Sequence, residues 1–221
     1  NRSSPLYVKP RLNKDCLQWA VAFKRSATKQ KVAQSIPVIK DINILSRELY
    51  ASMKSSGDLD FHYEHKGLLM AYKNDKAGEQ EWEVGKKAIK LGLKVENLTA
   101  KEVQVLEPKA NLNIKGAVYF HSDAHMTPGG FMKNMLAYLK RKGVTILAEE
   151  EVKDIIISNN SIKKVITNKQ EITADEFVMA AGSWSPFISK KLGIKMLLQP
   201  GKGYRINVAQ ETNITIPAVL L

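Results

Sequence analysis

The chain has 221 residues, enough to bury one large core or two small ones, and no run in it approaches the ~18 consecutive apolar residues that a membrane-spanning helix needs. A single cysteine, Cys16, excludes an internal disulfide framework and fits a reducing compartment, and the first residues show no signal-peptide pattern. The formal charge is +12 and uneven: residues 1–50 hold ten Lys/Arg against three Asp/Glu, whereas residues 51–100 balance eight against eight.

Residues 1–12, with two prolines and no periodicity, read as an extended lead-in. Helical spacing predicts a first helix from about Lys14 to Gln30, carrying Leu17, Val21, Trp19 and Phe23, and a second from about Val38 to Lys54, repeating Ile42, Leu45, Leu49 and Met53. The two are expected to pack as an amphipathic pair. Cys16 sits in the apolar part of the first, where a packed thiol is expected rather than a nucleophile. After the Gly57-Asp58 turn, "FHYEH" and "GLLMAYK" flank Lys66-Gly67 as a hairpin or as two successive strands. "GEQEWEVGKKAIKLG" predicts a helix with early acids and late lysines, stopped at Gly92. "LTAKEVQVLEP" offers Thr99 as N-cap and Glu102 three residues on, a capping box. "GAVYFHS" is a strand, and "TPGGFMKNMLAYLKRKG" a helix ending at Gly143.

Beyond that helix, "VTILAE" reads as a short strand, "EVKDIIISNN" and "IKKVITN" as a ribbon around Asn159-Asn160-Ser161, and "EITADEFVMAAG" as a further strand. In "FVMAAGSWSPF" the bulk stops at Ala180: Ala180, Ala181, Gly182 and Ser183 precede Trp184, and Ser185-Pro186 suit an N-cap and first helical position. A strand, a small-residue turn and a helix in this order mark the place where open α/β sheets bind nucleotides. A tight packing turn with no ligand gives the same pattern. No G-x-G-x-x-G occurs anywhere, and "NITIPAVLL" ends the sequence as an apolar strand. The fold class expected is α/β (α+β): part of a Rossmann-like sheet, plus a domain with a mixed or antiparallel sheet and helices.

The segments "SPLYVKPRLNKDCLQWAVAF", "LEP", "HSDAHMTPGGFMKNMLAYLKRKGVTI", "AAGSWSP" and "PGKGYRINV" occur in an order that resembles the FAD-dependent amine and amino acid oxidoreductases, the D-amino acid oxidase-like superfamily. Within it the likeness is strongest to bacterial D-amino acid dehydrogenases, and it runs from Ser4 to about Val208. Such proteins open with a glycine-rich βαβ unit and close with further strands over the flavin. The resemblance therefore implies an internal fragment: a substrate-binding domain over 1–122, a partial FAD-binding domain over 123–198 and a return to the substrate domain over 199–221. It implies oxidation of a D-amino acid to an imino acid, then a keto acid and ammonia, with hydride passing to FAD, and it implies that the isolated piece neither turns over nor holds FAD tightly. An oxidase of glycine, sarcosine or proline on the same scaffold is the neighbouring alternative. A non-catalytic basic binding module is the alternative from another class.

By the same resemblance, Ala180, Ala181 and Gly182 would run along FAD, Trp184 would wall its site, and the backbone at Val152 would meet the adenine. His125, Lys202 and Tyr204 would meet the amino acid, with Tyr63 and Tyr72 as weaker pocket candidates and Arg205 as the one carboxylate-clamping candidate in a matching region. No catalytic base is required, because the cofactor takes the hydride. His121, Asp123 and His125 in "HSDAH" would suit a metal only on a helix, which the flanking strand and Pro128 argue against, so no metal is expected there. His62 and His65 alternate with aromatic residues, and solvent exposure is the default for one face. Nucleic acid is not an expected partner, since no aromatic-interleaved basic patch or binding module is present. An amino acid substrate, a respiratory electron acceptor, peripheral contact with an anionic membrane and self-association through open sheet edges are expected, in the cytoplasm or at the inner face of the plasma membrane.

Overall fold

The computed structural model describes residues 14–204 and 214–221. In chain order its elements are α1 (Lys14–Ser26), α2 (Lys29–Ser55), β1 (Tyr63–Glu64), β2 (Leu68–Tyr72), α3 (Asp75–Lys90), β3 (Val95–Thr99), α4 (Ala100–Leu106), β4 (Gly116–Phe120), β5 (His125–Met126) and α5 (Pro128–Arg141), then β6 (Val152–Ser158), β7 (Ser161–Thr167), β8 (Glu171–Ile172), a 3-10 turn (Gly182–Trp184), α6 (Ser185–Lys191) and β9 (Ala218–Leu220). By packing, the described residues divide into one compact unit of 14–35 with 146–204 and another of 36–145 with 214–221.

In the unit of 36–145 and 214–221, a four-stranded sheet has the order β3-β4-β2-β9, antiparallel throughout except that β9 lies parallel to β2. Side chains directly opposite one another share a sheet face, so Leu69, Ala71, Ala117, Tyr119 and Leu98 line one side. That side packs on Val103 of α4 to form a core in which Leu69, Val103 and Ala117 are almost wholly removed from water. Each large aliphatic side chain buried there contributes roughly 1.5–3 kcal/mol. On the opposite side lies α3, with its buried Gly78 and Gly85 facing Tyr72 and Val118. The ends of these helices follow from local chemistry. Asn74 caps α3 by accepting from Ala77 N at 2.9 Å, and Thr99 and Glu102 close the expected capping box on α4.

A second core in this unit holds the β1–β5 ladder. Leu59, Phe61 and Phe131 are buried, with Tyr50 and Met53 of α2 and Met135 and Tyr138 of α5 packed around them. Phe61 meets Phe131 edge-on at 5.0 Å, and Phe131 meets Tyr50 at 5.3 Å. "FHYEH" and "GLLMAYK" are thus successive strands in different sheets: β1 pairs with β5, while β2 pairs with β4 and β9.

In the unit of 14–35 and 146–204, β6, β7 and β8 form an antiparallel three-stranded sheet. Ser158 lies opposite Ser161, and Asn159 and Asn160 both adopt positive φ, 53° and 59°, so the two-residue turn read from "NNS" is the kind that matches strand twist. Lys191 of α6 reaches Asp154 of β6 at 3.0 Å. This contact holds the Asp154 carboxyl below its ordinary range.

The elements differ from the sequence expectation at several places. The second helix begins at Lys29 and runs through Pro37. Neither α1 nor α2 has a buried residue: Leu17 and Val21 of α1, and Ile42, Leu45 and Leu49 of α2, are all more than half exposed. Residues 144–149 and 177–180 belong to no strand. A strand is defined by its ladder, and no described strand pairs with either run, so Val178 is 92% exposed where a buried strand was expected. The cap of α6 is Trp184, and Ser185 is already helical. Residues 1–12 and Arg205 lie outside the described residues.

Candidate functional site

Strand alternation builds the first cluster. Phe61 and Tyr63 face the aromatic core, so His62 and Glu64 project to the other side, and Glu64 lies directly opposite His125 in the β1–β5 register. His62 Nε2 is 3.6 Å from Glu64 Oε1, and His125 Nε2 is 3.5 Å from Glu64 Oε2. The two imidazole rings lie 5.5 Å apart. Lys66 Nζ approaches Glu64 Oε2 at 3.0 Å and, by this hydrogen bond above all, holds the Glu64 carboxyl below its ordinary range. His125 Nδ1 is buried without a hydrogen-bond partner among the described residues.

Beside this cluster lies a cavity of about 650 Å³, walled by apolar groups such as Ile39, Ile44 and Leu93 and carrying Arg47, Asp123 and His125 as its ionisable groups with Lys40. Size and lining suit a small organic ligand. Arg47 is held in place by donating from Nη1 to Ser122 O at 2.9 Å, while Tyr63 Oη donates to Arg47 O at 3.2 Å. Burial pushes the Asp123 carboxyl up from its ordinary value, and Arg47 and His65 partly oppose this.

Of the sequence candidates in this unit, His125 and Tyr63 line the cavity. Tyr72 does not: it packs under Gly78 and donates to Asn97 Oδ1 at 3.4 Å. His121 lies against Tyr119, ring centroids 4.0 Å apart and planes tilted by 45°, and meets Glu96 at 3.1 Å, whereas His125 meets Glu64. His65 is not idle on the surface, since its Nε2 lies 3.1 Å from His121 O. Arg47 and Glu64 escaped the sequence reading. The one sequence signal for Glu64 was its i, i+2 spacing from His62 on a strand, and Arg47 gave none.

The remaining candidates lie in the unit of 14–35 and 146–204. β6 is a terminal strand of its sheet, and Val152 opens it opposite Thr167, next to a register shift between Val152 and Asp154. Ala180 is exposed and Ala181 half-buried; Gly182 adopts φ +52°, and a Cβ built there meets nothing within 4 Å. The run is open backbone with little side chain above it. Trp184 is 70% exposed at its end. Lys202 Nζ sits 5.1 Å from the centroid of the Tyr204 ring, which is itself exposed.

A family model described as FAD dependent oxidoreductase matches residues 18–219. The chain is 33% identical over 205 residues to a D-amino acid dehydrogenase of Helicobacter pylori (strain ATCC 700392 / 26695), covering 92% of this chain and 48% of that protein. It is 25% identical to a D-amino acid dehydrogenase of Vibrio vulnificus (strain CMCP6), covering 93% of this chain and 50% of the relative. Among solved structures, glycine oxidase from Bacillus cereus ATCC 14579 superposes with a TM-score of 0.57 at 30% identity, over 65% of this chain and 39% of that one. L-proline dehydrogenase from P. horikoshii gives 0.56 at 25% identity, over 68% and 40%. The chain thus spans about half the length of the curated relatives it matches.

Proposed function

This chain belongs to the FAD dependent oxidoreductase family, and from that premise we propose that it forms part of an enzyme oxidising D-amino acids to imino acids, which water converts to keto acids and ammonia. The observation that carries the reading is the 33% identity to a D-amino acid dehydrogenase across 92% of the chain. It favours a D-amino acid over glycine, sarcosine or proline as substrate, and family membership argues against a non-catalytic basic module.

The residues fit the family's cofactor. A flat nucleotide needs exposed backbone with no side chain in the way, a reading supported by the open space at Gly182 and by the place of Val152 on a terminal strand. FAD, when bound, supplies the acceptor for the hydride leaving the substrate α-carbon. Val152 would hold the adenine edge through its N–H and C=O, Ala180, Ala181 and Gly182 would lie along the cofactor, and Trp184 would exclude water from one side. Substrate contacts are assigned to His125, Lys202 and Tyr204: the cation at Lys202 suits a carboxylate, and the His125 imidazole suits an amine proton. Oxidation also releases one proton from the amine, so a neutral amine is the competent form, and no group need act as a strong base.

The functional division proposed on the same reading, substrate binding in 1–122, FAD binding in 123–198 and a return to the substrate domain in 199–221, differs from the packing units, in which 123–145 go with 36–122 and 14–35 with 146–204. The seven-charge surplus of residues 1–50 supports peripheral contact with an anionic inner membrane surface, from which a respiratory acceptor could be reached. The test is activity of the purified product of the intact gene against paired D- and L-amino acids, with a dye or oxygen as acceptor. Preferential turnover of D-substrates with the dye supports the reading; turnover confined to L-substrates, or none, sinks it.

A further inference from the structure

Oxidation of an amino acid as proposed above draws on His125 alone of the His62, Glu64 and His125 cluster and gives His62 and Glu64 no role. Glu64 and His125 stand opposite each other across the β1–β5 ladder, His62 immediately precedes β1, and one ligand-type atom from each lies within 4.8 Å of the others. Two ligands each about 2.1 Å from a tetrahedral ion lie roughly 3.4 Å apart. The Glu64 carboxylate sits between the two imidazoles, with Oε1 3.6 Å from His62 Nε2 and Oε2 3.5 Å from His125 Nε2, each close to that ligand-to-ligand span. Two imidazoles and one carboxylate form a borderline donor set, suited to Zn²⁺ and its neighbours rather than to Ca²⁺ or Mg²⁺. Three protein ligands leave a fourth position open to water or an anion.

We propose that His62, Glu64 and His125 form a binding site for a divalent transition ion of the Zn²⁺ class, bridging β1 to β5. Lys66, which shares Glu64 Oε2, must swing aside, and its half-exposed ammonium can return to water. A ladder of only two residue pairs gains a cross-link from the ion, and His125 is withdrawn from the cavity it lines. Occupied, the site would thus compete with any ligand that needs His125. The proposal goes beyond the oxidoreductase reading and does not rest on it.

Calorimetric titration of the 221-residue chain with ZnCl₂ tests it, in a Cys16→Ser background so that the thiol does not contribute. One ion per chain is expected, with at least a tenfold loss of affinity in each of His62→Ala, Glu64→Gln and His125→Asn, and no change in His65→Ala. Circular dichroism checks each fold. His62 is half exposed and its replacement leaves the aromatic core untouched, so His62→Ala decides the matter even if the His125 variant unfolds. Titration with Co²⁺ adds a second reading, since the intense visible bands of a tetrahedral ion should appear in the parent and vanish in His62→Ala. Zn²⁺ binding that is absent in the parent, or unchanged in His62→Ala, overturns the proposal.

Discussion

The carboxylate of Glu107 holds the backbone of Thr215: Oε1 and Oε2 accept from Thr215 N at 3.0 and 2.9 Å, and Oε1 also accepts from Thr215 Oγ1 at 2.9 Å and from Ile216 N at 2.6 Å. Glu107 is 1% exposed at the end of α4, and Pro217 O then accepts from Leu69 N to start the parallel pairing of β9 with β2. One buried side chain thus decides where a strand from 108 residues later in the chain enters the sheet. Replacing Glu107 with Ala removes all four bonds, and because Thr215 is exposed and Ile216 half-buried water recovers part of the loss, leaving a cost of about 2 kcal/mol. Urea unfolding should show that loss, and amide exchange at Val219 and Leu220 should accelerate more than at Ala117. Thr215→Val, which keeps the backbone donors, should cost about 1 kcal/mol.

Gly67 joins β1 to β2 at φ +74°, and its N–H donates to Asp123 O at 2.9 Å. A Cβ there would fall 2.5 Å from Tyr119 Cε2 and 2.8 Å from Phe120 O, and the backbone oxygen cannot move without breaking the β2–β4 ladder. Gly67→Ala combines strain with overlap, so a loss of about 2 kcal/mol or more is expected in chemical denaturation. An unchanged midpoint would contradict this placement of the turn.

The capping box on α4 invites a smaller test. Thr99 Oγ1 accepts from Glu102 N at 3.3 Å, and Glu102 Oε2 accepts from Thr99 N at 2.7 Å. Thr99→Ala should cost about 1 kcal/mol, and Thr99→Ser much less.

Asp123 sets a pH dependence. Its carboxyl is raised by burial, so its protonated form is favoured in the folded state. Its contribution to stability is fully present below the unfolded pKa, near 4 for an aspartate, and is lost as pH rises through the higher folded value. Asp123→Asn removes the ionisation, so its urea midpoint relative to wild type should be higher at about pH 7 than at about pH 3. A difference that is flat with pH, or that runs the other way, would mean that Asp123 is well solvated.

What was legible in the sequence is local. The Thr99–Glu102 box, the Asn159-Asn160 turn and the helix starting at Pro128 are each written within a few residues, and each formed as read. The strand at 177–180 failed because bulk and β-propensity do not supply a ladder partner, and no described strand offers one. Glu64 became a site residue only through His125, 61 positions away, because register across β1 and β5 is a property of the aromatic core beneath them. Arg47 reads as one more basic residue on a helix until Ser122 and Asp123 are folded against it. By contrast, the family was legible, because the order of several short segments survives where no single one is distinctive.

Flavin reduction is the most direct test of the reading as a D-amino acid oxidoreductase. The product of the intact gene should purify with one FAD, and its yellow absorbance should bleach without oxygen on addition of a D-amino acid but not of the L-enantiomer. A colourless protein that takes up no FAD, or a flavin that only L-amino acids reduce, would contradict it.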